Sequence, residues 1–343
     1  MKYGLLVVSK GCEGGTNIGD YIQALASQQF VGKPDLFLER ETELRDYEGE
    51  PVKIIMNGWY MNHTENWPPS DNIIPLWVAL HINKCGLPEF LNEKSISYFK
   101  KHEPIGCRDQ HSVDLLKNMG VDAYFSGCMT LTLGYNYRKQ KTTDKVYIVE
   151  PYTRTSGLYA DHKLLFVKTI IYYLLHKSDV KSITQKKGEQ GFRSEFYNAY
   201  FLMEYSKVFD YNMLVNAEYI NQYNEKIDAA YPTNEEKMAY AEQLVRGYSE
   251  ASCVITSRIH CGLPCLGIET PVIFVKDANA NEISTDRFGG LIELFNTITW
   301  DGLHLTGNIP EIKYNKNNFP KNKDAWRVIS EKLISTCLNF RNS

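Results

Sequence analysis

Apolar residues occur along this chain in two kinds of run. Residues 3–9, 35–38, 52–57, 104–107 and 123–125 are short and nearly continuous, the form of strands buried on both faces of a parallel sheet. Between them, apolar positions three and four apart predict helices over 18–30, 73–82 and 110–119. Asn17 caps the first of these, and Pro75 suits the first turn of the second. Asp109 caps the third and Gly120 ends it. Residues 134–145 (GYNYRKQKTTDK) follow neither period and predict a linker. Beyond them the pattern restarts. Residues 146–149, 180–184, 253–256 and 271–275 read as strands, and 164–176 and 258–267 as helices. Residues 194–250 form a long Tyr-rich, mostly helical stretch broken near Asp210 and at Pro232. Residues 322–338 form a closing amphipathic helix, and no internal repeat appears.

Strands alternating with helices in both halves predict an α/β protein with parallel sheets covered on both faces. The expected architecture is two Rossmann-like domains facing a cleft, residues 1–137 and 146–320, with the helix at 322–338 packing back across them. The length of 343 residues suits two cores, and 43% hydrophobic against 23% charged residues excludes a disordered chain. With 38 basic and 41 acidic side chains the net charge is −3, so nothing supplies a phosphate-tracking face and no nucleic-acid partner is expected. No apolar run reaches the length of a membrane helix or of a leader-peptide core, so the expected location is the cytoplasm. The eight cysteines include no CxxC pair, which predicts reduced, buried thiols. His260, Cys261 and Cys265 lack a fourth ligand and tight pairing, so no metal is expected.

In open α/β folds ligands bind beyond the carboxyl ends of the strands, so chemistry is sought just after each strand. Residues 11–20 (GCEGGTNIGD) follow the first strand with Gly15, Asn17 and Asp20. They form neither a GxGxxG nor a phosphate-loop motif, and they read either as a plain strand–helix turn or as a ligand-facing loop. Arg108 ends one strand and Asp109 opens the next helix. The guanidinium is either an anion clamp or the partner of a neighbouring acid. Ser257, Arg258 and His260 follow residues 253–256, and Lys276 follows 271–275. Together with a helix amino terminus these groups suit an anionic ligand, unless His260 is simply a satisfied core histidine. Glu150 ends residues 146–149. Gly58 opens a loop in which Trp59 and Tyr60 can stack on a sugar, and Gly127 follows residues 123–125.

The ordered set NIGDYIQALA (17–26), PIGCRDQHSVDLLKNMGVDAYFSGC (104–128) and VITSRIHCGLPCLGIETPVIF (254–274) resembles the polysaccharide pyruvyl transferase family. One departure is Ile-His-Cys-Gly where Leu-His-Gly is expected, and another is the long Tyr-rich stretch. The resemblance implies an architecture similar to GT-B glycosyltransferases, with phosphoenolpyruvate as donor substrate and no cofactor. It implies a product in which a cyclic pyruvate ketal bridges two hydroxyls of a sugar. His260, Asp20 and Asp109 are then the catalytic candidates, and Arg258, Arg108, Lys276 and Ser257 the donor-binding ones. Gly15, Asn17, Gly58, Trp59, Gly127 and Glu150 line the acceptor side or the cleft. The acceptor implied is a glycan or a lipid-linked precursor of a surface polysaccharide. A lipid-linked acceptor would bring peripheral contact with the inner membrane face, through basic stretches at 138–145 or 186–187. The alternatives are a nucleotide-sugar glycosyltransferase of shared architecture and a non-catalytic glycan-binding relative.

Overall fold

The computed structural model describes residues 1–8, 15–60, 63–83, 87–139, 142–152, 162–280, 286 and 288–343. Residues 9–14 of the glycine-rich segment, with Cys12, lie outside that set, as does Cys85. In chain order the first half contains β1 (Lys2–Val7), β2 (Thr16–Asn17), α1 (Ile18–Val31), β3 (Leu36–Glu39), β4 (Val52–Trp59) and β5 (Ile73–His81). It continues with α2 (Leu87–Phe90), α3 (Glu93–Lys101), β6 (Ile105–Cys107), α4 (Gln110–Asn118), β7 (Ala123–Phe125) and α5 (Gly134–Tyr137). The second half opens with β8 (Val146–Val149), α6 (Lys163–Leu175), α7 (Lys177–Lys186), α8 (Phe192–Tyr205) and α9 (Tyr211–Asn216). There follow β9 (Glu218–Ile220), β10 (Tyr223–Asn224), α10 (Lys226–Ala230), α11 (Asn234–Glu250), β11 (Cys253–Thr256) and α12 (Ile259–Gly267). The chain closes with β12 (Val272–Asp277), β13 (Asn296–Trp300), β14 (Leu305–Thr306) and a C-terminal helix, Trp326–Asn342.

Six strands form the first sheet in the order β3-β1-β4-β5-β6-β7, all parallel. Six more form the second, β14-β13-β12-β11-β8-β9, parallel except for the β13–β14 pair. Two parallel-rich sheets flanked by helices make this a two-domain α/β fold of the GT-B-like kind.

Two expectations are overturned. Residues 73–82 are not a helix but lie mostly in β5, between β4 and β6. Trp77, Val78, Ala79 and Leu80 are all buried there, as in a central strand covered on both faces. Pro75 sits opposite Ile54 of β4, while the pairing with β6 lies farther along, at Leu80↔Cys107, so the missing N–H is tolerated. Residues 180–184 are not a strand but part of α7. Val180, Ile183 and Thr184 are buried at i, i+3 and i+4 while Lys181 is exposed. The strand beside β8 is instead β9, from within the stretch read as helical.

Helix α1 joins the two halves. The Asn17 side chain accepts from Gly19 N at 3.1 Å, and Gly32 ends the helix at a positive φ of 77°. Both of its faces are covered. Tyr21, Ile22 and Leu25 share one apolar cluster with Met238 and Val245 of α11 and Leu263 of α12. Each such side chain contributes roughly 1.5–3 kcal/mol of burial. Beside it, β2 pairs antiparallel with β10, Asn17 opposite Tyr223. Asp228 accepts from Thr16 N at 3.0 Å and from Thr16 Oγ1 at 2.5 Å, and is paired with Lys237 at 2.7 Å. The predicted linker packs too, Lys139 Nζ donating to Ala251 O at 2.8 Å. The C-terminal helix returns to the first half, where Ser330 Oγ donates to Leu131 O and Lys53 Nζ to Phe340 O.

Candidate active site

Polar groups collect just beyond the carboxyl ends of both parallel sheets. On the first sheet these are Arg40 after β3, Trp59 ending β4, His81 ending β5, and Arg108 and Asp109 after β6. On the second they are Glu150 after β8, Ser257 and Arg258 after β11, and Lys276 near the end of β12. This is the position at which open α/β sheets hold ligands.

One hydrogen-bonded chain crosses between the domains. Asp20 Oδ1 accepts from Gln23 Nε2 at 3.1 Å and from Arg40 Nη1 at 3.3 Å. The same Gln23 Nε2 lies 3.5 Å from Nδ1 of His260, which belongs to the other domain. Gly19 permits the approach, since a Cβ there would stand 3.0 Å from His260 Cβ. Arg40 also bonds Glu41 at 3.3 Å and lies over the Tyr60 ring. Burial alone would lower the Arg40 pKa, but the charges of Asp20 and Glu41 outweigh it and hold the guanidinium above its ordinary value.

His260 stands at a kink in the first turn of α12, with φ −82° and ψ 16°. Pro264 supplies the reason. It has no N–H to offer the carbonyl four residues back, which is that of His260. Gln222 Nε2 takes the vacated place, 3.4 Å from His260 O. Arg258 is the N-cap of α12 in extended conformation, and its N–H donates to Thr256 Oγ1 at 2.9 Å.

Arg258 is held by Glu150, Nε to Oε2 at 2.5 Å and Nη2 to Oε1 at 3.0 Å. Glu150 has a φ of +41°, a left-handed conformation costly for a side chain of its kind. Its carbonyl accepts from Ser257 Oγ, and its Oε2 also accepts from Gln222 N at 3.2 Å. Gln222 O in turn accepts from Ile18 N at 2.8 Å, which ties this ion pair to the start of α1.

Asp109 caps α4 as expected, accepting from Ser112 N and Oγ, each at 2.9 Å. Its other oxygen lies 2.5 Å from His81 Nδ1, and both side chains are fully buried. Burial pushes the Asp109 pKa up. The hydrogen bond and charge of His81, the charge of Arg108 and the Ser112 N–H outweigh this and leave it below the usual carboxylate range. With both oxygens occupied, Asp109 is built to orient His81, against whose ring Trp59 packs edge-on at 5.6 Å. Arg108 is 3% exposed. Its N–H donates to Leu80 O, and its guanidinium makes no ion pair among the described residues.

Other expected site residues have different surroundings. Gly15 (φ 100°) lies against the backbone of Glu225, where a Cβ would meet Cα at 2.6 Å. Gly127 (φ 71°) makes room for Ile329 of the C-terminal helix. Gly58 and Trp59 are the last residues of β4, not a loop, and Gly58 accommodates Arg40, whose Nη1 would be 2.6 Å from a Cβ. Lys276 is exposed and makes no ion pair among the described residues. Cys261 and Cys265 are buried in the core, and among the described residues no three ligand-type side chains form a metal-binding group.

Sequence reading missed Arg40, Gln23, His81 and Gln222. Arg40 was discoverable, because it lies two residues past the strand predicted at 35–38, which the structure extends to Glu39. His81 was hidden by reading its strand as a helix, and nothing in the sequence marks Gln222.

The family model for polysaccharide pyruvyl transferase matches residues 17–278 of the chain. No curated protein matches it significantly. A solved structure of an uncharacterized protein from Klebsiella pneumoniae subsp. pneumoniae NTUH-K2044 is 12% identical. The match covers 87% of this chain and 92% of that one with a TM-score of 0.43, a likeness too loose to support a statement about fold or function.

Proposed function

Because this chain belongs to the polysaccharide pyruvyl transferase family, we propose that it moves the pyruvyl group of phosphoenolpyruvate onto two hydroxyls of a sugar. The product is a cyclic ketal and the leaving group is phosphate. The acceptor is a glycan or a lipid-linked precursor of a surface polysaccharide.

The observation that carries this reading is the approach of His260 to the Gln23–Asp20–Arg40 chain of the opposite domain. A titratable imidazole from one domain and a carboxylate–guanidinium pair from the other can then flank one ligand. Phosphoenolpyruvate is a compact, multiply charged anion and needs clamps for its carboxylate and its phosphate. Arg108, buried and without an ion pair among the described residues, and Arg258, at the amino terminus of α12, are cations suited to that task.

The reaction needs a proton delivered to the methylene carbon, which makes C2 electrophilic. One sugar hydroxyl then bonds to C2 and loses its proton. The second hydroxyl forms the other C2–O bond, and its proton goes to the departing phosphate as the C2–O bond to phosphate breaks. No oxidant or resident cofactor enters this balance. His260 serves as the proton carrier, a role that contributes about 10²–10⁴ in rate in other enzymes. Asp20, ion-paired with Arg40, orients an acceptor hydroxyl. Asp109 supports the cleft through His81.

Calorimetric titration with phosphoenolpyruvate and with a panel of nucleotide sugars tests the reading. Wild-type protein should release heat with phosphoenolpyruvate, and a folded Arg258→Ala/His260→Ala variant should not. Heat with a nucleotide sugar and none with phosphoenolpyruvate would move the chain to the glycosyltransferase reading.

A further inference from the structure

Helix α6 (KLLFVKTIIYYLL) turns a large apolar surface outward. Leu164, Val167, Ile171, Leu174 and Leu175 are 70%, 51%, 53%, 64% and 75% exposed, while Thr169 and Tyr173 on the opposite side are buried. At about 100° per residue, those five side chains fall within a sector roughly 100° wide. Lys163 and Lys168, both exposed, stand at its two borders. The helix carries no acidic residue, and α7 continues the basic margin with exposed Lys177 and Lys181. The one acid of α7, Asp179, accepts a hydrogen bond from Tyr211 OH at 2.5 Å. In a chain of net charge −3 this is a local concentration of cations around a local concentration of leucine and isoleucine.

We infer that the outer face of α6 docks on the surface of an anionic lipid bilayer. The leucines and isoleucine enter the acyl boundary, and the bordering lysines reach the headgroups along their apolar stems. The charge pattern selects this occupant over a second copy of the chain. Two copies meeting through this face by a two-fold axis would bring like-charged lysine borders together with no acid on the helix to offset them. The helix lies in the plane of the interface, since thirteen residues span about 20 Å, well short of a bilayer core. Among the described residues no helix is long and apolar enough to cross a membrane. Helix α6 is the first helix after β8, the strand that Glu150 directly follows, so docking would fix the cleft relative to a lipid-borne substrate. The surface differs from the basic stretches at 138–145 and 186–187, since Lys186 is engaged with Val215 O and Ala217 O.

Co-sedimentation with phosphatidylglycerol/phosphatidylcholine vesicles and with phosphatidylcholine vesicles alone tests this. Wild type should sediment with the anionic vesicles and weaken as salt rises. Leu164→Gln/Ile171→Gln should bind at least about tenfold less. Lys163→Glu/Lys168→Glu should lose about fivefold per lysine. All four side chains are exposed, and circular dichroism checks that each variant stays folded. Failure of wild type to sediment with anionic vesicles at low salt would overturn the inference, as would unchanged binding by Leu164→Gln/Ile171→Gln. So would a wild-type dimer that ignores vesicles and becomes monomeric on that double substitution. The assay contains neither donor nor sugar, so its outcome is independent of the proposed transfer reaction.

Discussion

Arg258 and Glu150 form a two-point ion pair at the carboxyl end of the second sheet, with contacts of 2.5 Å and 3.0 Å. The pair is partly exposed, at 37% and 18% for the two side chains. Such a pair adds at most about 1 kcal/mol to stability. Its value lies in aim, because the fork fixes the guanidinium plane just beyond the carboxyl end of β11.

Arg258→Lys keeps the charge and loses the fork. Affinity for phosphoenolpyruvate should fall about tenfold, the loss of one charge-assisted bond, while the urea midpoint stays within error of wild type. Calorimetry and denaturation on the same preparation separate the two effects. Unchanged donor affinity would remove Arg258 from the donor site.

His260 is half-buried and held by Gly19 packing, Gln23 and the Gln222 amide, so its ring is placed rather than merely present. His260→Ala should lower kcat by about 10²–10⁴. The fold should survive, since the ring fills no closed core. A folded variant with full turnover would exclude His260 from proton transfer.

Gly58→Ala tests whether Arg40 must lie where it does. The added Cβ would stand 2.6 Å from Arg40 Nη1, in a backbone conformation (φ 144°) that already disfavours a side chain. Arg40 should be pushed off Asp20, and the Gln23–His260 contact should loosen with it. Expected are a loss of about 1–2 kcal/mol in stability, from the backbone conformation, and a fall in kcat larger than any change in KM. Equal activity with reduced stability would make the Arg40–Asp20 pair a structural feature only.

Most of the alternation was legible because buried parallel strands and capped helices leave local signals. Asn17 and Asp109 were read as caps and are caps. The failures have local causes. The apolar run at 73–82 is long enough for either element, and Pro75 favoured the helix reading until the sheet placed it opposite Ile54. Residues 180–184 hold the β-branched Val180, Ile183 and Thr184, yet their i, i+3, i+4 spacing belongs to α7. Strand-end logic picked out Arg108, Glu150 and Arg258, which the structure places just beyond the carboxyl ends of their strands. It had no way to find Gln222, which matters through contacts with residues distant in sequence: the His260 carbonyl that Pro264 leaves free, Glu150 and Ile18.

The Asp109–His81 pair predicts a pH dependence of stability with a definite sign. Asp109 in the folded protein titrates below its ordinary value of about 3.9. A depressed carboxylate contributes stability above its unfolded pKa and loses it as pH falls through the folded one. Asp109→Asn keeps the shape, the cap to Ser112 and a neutral bond to His81, but not the charge. At about pH 7 the variant should be less stable by roughly 1.5–3 kcal/mol, the scale of a hydrogen bond to a charged group. As the pH is lowered below about 4, the wild-type carboxylate protonates and the gap between the two proteins should close. Urea denaturation of both proteins across that range is the measurement. A gap that persists undiminished at the acid end would mean that Asp109 acts through shape and not through its charge on His81.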